Sequence, residues 1–393
     1  MKYFFVLGKN KAISIAEILS VVVNIDSWEL INDDVFLIET KKKIPSDIIK
    51  RMGGVIKFGK VSFETKQIDG DEIYKKVMTD LLVSEGKIKF GISDYSLKAN
   101  FKKEQKLAMV IKRNLKDASR SCRWVTSKEK TLSSVVVEQN LMKDNGVEIV
   151  LLGSGDRRLV AQTKSVQAFK ELSRRDYGRP SRDDKSGMLP PKLAQIFLNL
   201  SGVKEDDVLL DPFCGSGTVL GEALLMGVEN LIGTDVSAKA VKDTQNNLTW
   251  FEKTFITQKS KKEIFQCDVI KLSKEIDERS VDKIVTEPYL GPQRGQVDQR
   301  KIKIELDELY SVALKNFHKI LKDKGRVVMV WPVRILGEKK LYLDPDIKGF
   351  KNINVLPKEL NSKLKRNLSF RNNLLYGRDG QKVWREIVVL EKK

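Results

Sequence analysis

Apolar positions along the chain fall into short runs that alternate with stretches of helical spacing, and this alternation sets the expected elements. Tyr3 to Leu7 is an unbroken apolar run of strand length, and Ser14-Ile15-Ala16-Glu17-Ile18-Leu19-Ser20 has the spacing of a helix capped by Ser14. Val35 to Ile38 reads as a strand, Ile44 to Ile49 opens a second helix, and Met52 to Val61 is a glycine-led strand. Strand, helix, strand, helix and strand over 1–65 predict a small α+β unit. A second such unit is expected over 66–165. It has a helix over Asp71 to Leu82, a strand over Lys87 to Ser93, and a helix striped by Leu107, Val110, Ile111 and Leu115. Strands over Ser133 to Glu138 and Val147 to Leu152 complete it.

From 166 to the end the pattern becomes regular. Strands are expected at 207–211, 230–235, 264–267, 281–286 and 325–331, with helices at 218–226, 237–250 and 305–322 between them. Such alternation predicts a parallel sheet in an α/β domain. Asn373 to Arg378 and Val383 to Leu390 are joined by Asp379-Gly380-Gln381-Lys382, and Asp-Gly between strand patterns signals an antiparallel hairpin. Residues 164–192 join the halves, with Arg174, Arg175, Arg179 and Arg182 among Asp176, Asp183 and Asp184. Pro190 and Pro191 open a helix over Ala194 to Leu200, which aims its first N–H groups at an anion. We read this segment as a loop folded over a ligand pocket.

Charge adds a partner to this picture. The 393 residues hold 72 Lys and Arg against 53 Asp and Glu, a net +19, which favours a polyanion because each neutralised phosphate releases counterions. Between Lys98 and Lys130 there are eleven basic and three acidic residues, with Phe101 and Trp124 interleaved. Lys112, Arg113, Arg120, Arg123 and Trp124 are the candidate RNA contacts there. No apolar run approaches the roughly 18 residues of a membrane span. The amino-terminal run is too short for a secretory signal and lacks a small-residue cleavage site. Cys122, Cys214 and Cys267 are scattered singly, so neither a disulfide framework nor a metal site is expected, and the expected location is the reduced cytoplasm.

Candidate chemistry begins at Asp211-Pro212-Phe213-Cys214-Gly215-Ser216-Gly217-Thr218, where the run Val208-Leu209-Leu210 ends and a helical pattern opens. Glycines in such a turn let a ligand approach bare backbone, and strand carboxyl ends are where open α/β sheets place ligands. No Gly-Lys-Ser/Thr ending follows, which excludes a P-loop, and the spacing is not G-x-G-x-x-G. A second apolar run ends in Asp235, placed to hold vicinal ribose hydroxyls. A third ends in Asp268. Three acids at three successive strand ends, the first inside DPFCGSGT, resemble a class I S-adenosylmethionine-dependent methyltransferase. The candidate cofactor contacts are Leu189, Pro190, Asp211, Phe213, Cys214, Gly215, Gly217, Thr218, Asp235, Val236, Asp268 and Val269. Cys214 is read as packing, and His318, between Phe317 and Ile320 on a helix, as structural.

At the next strand end stand Thr286-Glu287-Pro288-Tyr289. This resembles the (Asp/Asn/Ser)-Pro-Pro-(Tyr/Phe) pattern of enzymes that methylate exocyclic amines of bases. An aniline-like nitrogen is a poor nucleophile, so fixed acceptors and a stacking ring favour its transition state. Matching Pro288-Tyr289 to the end of that pattern puts Thr286 at the acid position and Glu287 at the first proline, where Glu287 serves as acceptor and general base.

Arg179 to Asp183, Gly187 to Ala194, DPFCGSGT and Val383-Trp384-Arg385-Glu386 together resemble the archaeal and eukaryotic THUMP-containing tRNA guanine-N2 methyltransferases. The resemblance implies a ferredoxin-like domain over 1–65, a THUMP-like RNA-binding domain over 66–165, and a Rossmann-like methyltransferase domain over 166–393. It also implies that Asp211, Asp235 and Asp268 handle the cofactor's amino-acid end, ribose and adenine. The implied substrate is tRNA or another structured RNA, methylated on guanine N2 by a monomer or weak dimer. Two alternatives stand beside it: a DNA adenine-N6 or cytosine-N4 amino-methyltransferase, and a non-catalytic RNA-binding relative.

Overall fold

The computed structural model describes residues 1–96, 101–143, 145–154, 156–182, 188–255, 260–292 and 298–393. These residues form two compact units, Met1–Lys11 with Val22–Phe169 and Ala12–Val21 with Lys170–Lys393.

In the first unit the strands are β1 (Lys2–Leu7), β2 (Ile25–Leu30), β3 (Val35–Thr40), β4 (Val55–Thr65), β5 (Ile88–Asp94), β6 (Cys122–Val125), β7 (Gly146–Ser154) and β8 (Arg157–Val166). They make one sheet in the order β2-β3-β1-β4-β8-β7-β5-β6. The two α+β units expected over 1–65 and 66–165 therefore share a sheet. Strand β4 is the reason: it pairs with β1 at its start and follows β8 from Lys57 to Thr65. Ser133 to Glu138 is not a strand but enters the helix Ser134–Leu141, with the Ser133 side chain accepting from the Val136 N–H. That cap, with Val137 and Leu141 buried on one side, outweighs the β propensity of three consecutive valines. The helix over 71–82 is broken into an α turn, a π turn and a 3₁₀ turn.

The core of this unit carries one ion pair. Lys57 and Glu148 are 1% and 0% exposed. The Lys57 ammonium donates to Glu148 Oε1 at 2.5 Å and to the Leu132 carbonyl at 2.7 Å. Glu148 also accepts from the Ser93 and Thr163 hydroxyls. Burial pushes the Lys57 pKa down, and Glu148 opposes that shift.

In the second unit the strands are β9 (Val208–Asp211), β10 (Asn230–Asp235), β11 (Lys261–Gln266), β12 (Val281–Thr286), β13 (Leu321–Leu336), β14 (Lys339–Tyr342), β15 (Phe350–Asn352), β16 (Leu374–Tyr376) and β17 (Val383–Lys392). Their sheet runs β11-β10-β9-β12-β13-β17-β15, with β14 on β13 and β16 on β17. Pairing is parallel from β11 to β13, and β17 runs antiparallel to β13. The expected parallel sheet and antiparallel carboxyl-terminal strands are both present. The connection order reverses at β9, the position where open α/β sheets bind ligands. The helix Gln299–Ile320, capped by the Asp298 side chain, buries Tyr310 and Phe317 completely against the sheet. The helix Lys11–Val21, expected with the first strands, clusters from Ala12 onward with this unit, and Asn199 donates to its Glu17 at 2.8 Å. Among the described residues no helix is long and apolar enough to cross a membrane.

Lys57→Met leaves Glu148 charged, buried and without its cation. We expect it to destabilise the first unit by about 3–5 kcal/mol, measured by urea unfolding. A loss under about 1 kcal/mol would show that the pair is dispensable.

Candidate active site

Asp211 ends β9 and Thr286 ends the neighbouring β12, so two adjacent strand ends bring them together. The Thr286 hydroxyl donates to Asp211 Oδ1 at 2.7 Å, and the Phe213 N–H donates to the same oxygen at 3.2 Å. Both side chains are buried. Burial pushes the Asp211 carboxyl up to about 7; the Thr286 and Phe213 bonds pull against that, and the charges of Asp235 and Glu287 add to it.

The turn after Asp211 uses its glycines for two purposes. Gly215 has φ +53° and no atom within 4 Å of where a Cβ would sit, so this glycine leaves open space for a ligand. A Cβ on Gly217, at φ +78°, would lie 2.9 Å from the Thr244 side chain, so this one serves packing. Asp235 takes the Gly215 N–H on Oδ2 at 3.0 Å and the Ser237 N–H on Oδ1 at 2.9 Å, which orients its carboxylate against the turn. Asp268 caps the 3₁₀ turn Val269–Lys271 through the Ile270 N–H. Val236 is exposed and Val269 buried. Cys214 is buried against Thr244, and burial pushes its thiol up, as packing requires. His318 lies edge-on to Phe350.

Asn247 and Glu222, not singled out from the sequence, join arginines of the 164–192 segment in holding this turn. The Asn247 side chain donates to the Ser216 and Ser181 carbonyls and accepts from the Ser181 N–H. Arg179 donates to the Thr218 hydroxyl at 2.6 Å, and Arg175 pairs with Glu222 through two N–H groups. The segment around 175–181 is thus fastened to the turn and its helix; Asp183, Asp184 and Gly187 lie outside the described residues. Leu189 is buried, and the Pro190 carbonyl accepts from the Leu193 and Ala194 N–H groups. Those two donors are therefore taken up within the helix rather than aimed at an anion.

At the reacting end Thr286 is fully buried and its hydroxyl donates to Asp211. Glu287 is the first residue past the strand, Leu290 is buried, and Tyr289 is the exposed ring at 61%. Arg385 on β17 holds Glu287 through Nε at 2.5 Å and Nη2 at 3.3 Å. The Tyr310 hydroxyl donates to the Tyr289 carbonyl at 2.9 Å, and Arg334 Nη2 donates to the Pro292 carbonyl at 2.9 Å. Three elements therefore clamp one short loop.

In the first unit Lys112, Arg113 and Arg123 are exposed, and Arg113 lies 3.6 Å from Asp71. Trp124 is half-buried and stacks on exposed Phe101 with centroids 6.4 Å apart. Arg120 is different: its guanidinium donates to the Leu82, Ser84 and Gly86 carbonyls. These bonds tie a loop together.

A family model described as an RMKL-like methyltransferase domain matches residues 179–358, and a DNA methylase model matches 39–246. They overlap over 179–246, which contains Asp211 to Thr218; upstream of that the second runs through the first sheet. A tRNA (guanine(10)-N2)-dimethyltransferase of Methanothermobacter thermautotrophicus is 36% identical, covering 37% of this chain and 39% of the relative. One of Methanocaldococcus jannaschii is 30% identical, covering 49% and 51%. A "Probable tRNA (guanine(10)-N2)-dimethyltransferase" of Methanothermococcus thermolithotrophicus is 33% identical, covering 40% of this chain and 85% of that one. The chain thus matches about two-fifths to one-half of the length of the first two relatives. TrmN from Thermus thermophilus shares the fold, with a TM-score of 0.52 and 15% identity over the full length of both chains.

Asp211 yields a pH signature. Its pKa rises from an ordinary 3.8 to about 7, so the native state binds this proton more tightly than the unfolded chain. Stability therefore falls as pH climbs between those values and levels off above them, opposite to a salt-bridged carboxylate. Urea unfolding from about pH 4.5 to about pH 7.5 should show the wild type losing a few kcal/mol more than Asp211→Asn, at 1.36 kcal/mol per unit. Equal slopes in the two proteins would refute it.

Proposed function

This chain belongs to the nucleic-acid methylases, in the family of the tRNA (guanine(10)-N2)-dimethyltransferases, and we propose that it methylates the N2 amine of a guanine in tRNA with S-adenosylmethionine as donor. One juxtaposition carries the reading. The Asp211–Asp235 turn, opened at Gly215, lies at the strand end next to Glu287-Pro288-Tyr289.

These residues fit the donor. Asp211 would hold its amino-acid end, Asp235 its ribose, and Asp268 with Val236 and Val269 its adenine. When bound, it supplies an electrophilic methyl group on a sulfonium. The chain's own residues prepare the acceptor. Tyr289 offers a stacking face to a base taken out of its helix. Glu287 accepts an amine hydrogen and stabilises positive charge developing on that nitrogen. With Arg385 gripping both of its oxygens, Glu287 is held in place to accept the amine hydrogen and to take the proton that the methylated nitrogen gives up.

For the RNA, Lys112, Arg113 and Arg123 neutralise phosphates, and the Phe101–Trp124 pair offers an aromatic surface. We assign the ferredoxin-like and THUMP-like roles to 1–65 and 66–165, acting in a reducing cytoplasm as a monomer or weak dimer. The DNA methylase match supports the second reading, a DNA amino-methyltransferase.

Labelled S-adenosylmethionine with total tRNA, total DNA or neither separates the readings: label in tRNA alone, released as N2-methylguanosine, is the expected result. Label in DNA alone would favour the second reading. Glu287→Gln should lower transfer by roughly 100-fold with S-adenosylhomocysteine affinity nearly unchanged; unchanged turnover would remove Glu287 from the chemistry.

Replacing Lys112, Arg113 and Arg123 together by Ala should weaken tRNA binding and lower the slope of log K against log salt by about 2–3. Adding Arg120→Ala should change stability more than that slope. A slope unmoved by the triple variant would place the RNA elsewhere.

A further inference from the structure

Two arginines reach the clamped loop from one ribbon. Strand β13 continues past Met329, its partner for Thr286, and stays paired with β17, placing Pro332 opposite Arg385 and Arg334 opposite Val383. Opposed residues share a face, as do alternate residues of one strand, so Arg334 and Arg385 are diagonal neighbours with Cα atoms about 7–8 Å apart. Arg385 grips Glu287. Arg334 spends Nε on the Gln299 side chain at 2.6 Å and Nη2 on the Pro292 carbonyl. Its Nη1 is buried and has no hydrogen-bond partner among the described residues, although the residue is only 4% exposed. Folded proteins rarely leave a buried charged donor unmet without a use for it. A Cβ on Gly291 would lie 3.6 Å from this nitrogen, so on that side it is bordered by bare loop backbone rather than by a side chain. Tyr289 is close enough for its phenol to act electrostatically on the Arg334 guanidinium.

We propose that Arg334 donates Nη1–H to the carbonyl oxygen of the target base and makes the site selective for guanine. This rests on the methyltransferase reading above and deepens it. The Watson–Crick edge of guanine presents the N2 amine and N1–H as donors, then O6 as an acceptor. A carboxylate complements the first two and a guanidinium N–H the third. Adenine and cytosine instead set a ring-nitrogen acceptor beside their amine, facing the Glu287 oxygens. That repulsion is how such a pair excludes them. Arg334 Nη1 is shielded from water, so a base edge that displaces the Gly291 backbone to reach it gains a charge-assisted bond without solvent competition.

The test replaces a single atom. Once the guanosine methylated by the wild-type protein is mapped, tRNA is prepared with 6-thioguanosine at that position, which keeps N1–H and the N2 amine but turns the oxygen into a poor acceptor. Wild type should prefer guanosine by about tenfold or more in kcat/KM. In Arg334→Met and Arg334→Lys, guanosine turnover should drop while this preference shrinks to within about threefold. The lysine variant keeps the charge and most of the stem, and S-adenosylhomocysteine affinity and Tm report that either variant is folded. If both substrates fall together and the wild-type preference persists, Arg334 is only scaffolding for the loop and the proposal fails. A wild-type preference near one overturns it as well. Absence of wild-type methyl transfer to any tRNA fells the methyltransferase reading itself, and this assignment with it.

Discussion

A carboxyl group taken out of water at the end of β9 is the constraint on which the second unit turns. Asp211 sits in the sheet's interior, and its Oδ1 is met by the Thr286 hydroxyl from the adjacent strand. That one bond fixes two strand ends in depth relative to each other. It therefore also fixes the spacing between the glycine-rich turn after β9 and the Glu287 loop after β12. The cost of hiding the carboxyl appears in its raised pKa. Sites that bind charged ligands commonly hold such groups, because an incoming partner meets a dipole already in place rather than one that must reorganise.

The loop beyond Thr286 gains its rigidity differently. Among the described residues its backbone has no strand partner, and separate elements supply the anchoring: Tyr310 from the long helix, Arg334 from β13 and Arg385 from β17. The Tyr310 and Arg334 bonds are made to backbone carbonyls, which leaves the loop's side chains available. Tyr289 can then be exposed without being loose. Preorganisation of this kind places the energetic cost of ordering in folding rather than in each catalytic cycle.

Much of this was legible from residue order, because local rules govern it. The strand–turn–helix at Asp211–Thr218 and the acids at 235 and 268 depend on periodicity and glycine, both read within a few residues. What escaped depends on partners far along the chain. The bond from Thr286 to Asp211, 75 residues upstream, has no signature in the residues around either one. Arg120 looked like a phosphate ligand, yet it serves three carbonyls of a preceding loop. Val135 to Val137 favour a strand by propensity, and only burial of one side together with the Ser133 cap made them helical. The two units expected on either side of residue 65 share one sheet because β4 bonds β1 along one edge and β8 along the other.

The helix beginning at Lys11 carries a consequence for how the protein is made. Ala12 to Ile18 are buried, and this stretch clusters with residues that follow it by more than 150 positions. During synthesis it emerges long before the residues it clusters with, and spends that interval as an apolar segment awaiting its partner. Cutting the chain at 170 would not liberate an intact second unit, since the excised piece would lack this helix and Asn199 would lose Glu17. The polypeptide is thus interlaced: the second unit is drawn from two stretches of chain that stand on either side of 22–169.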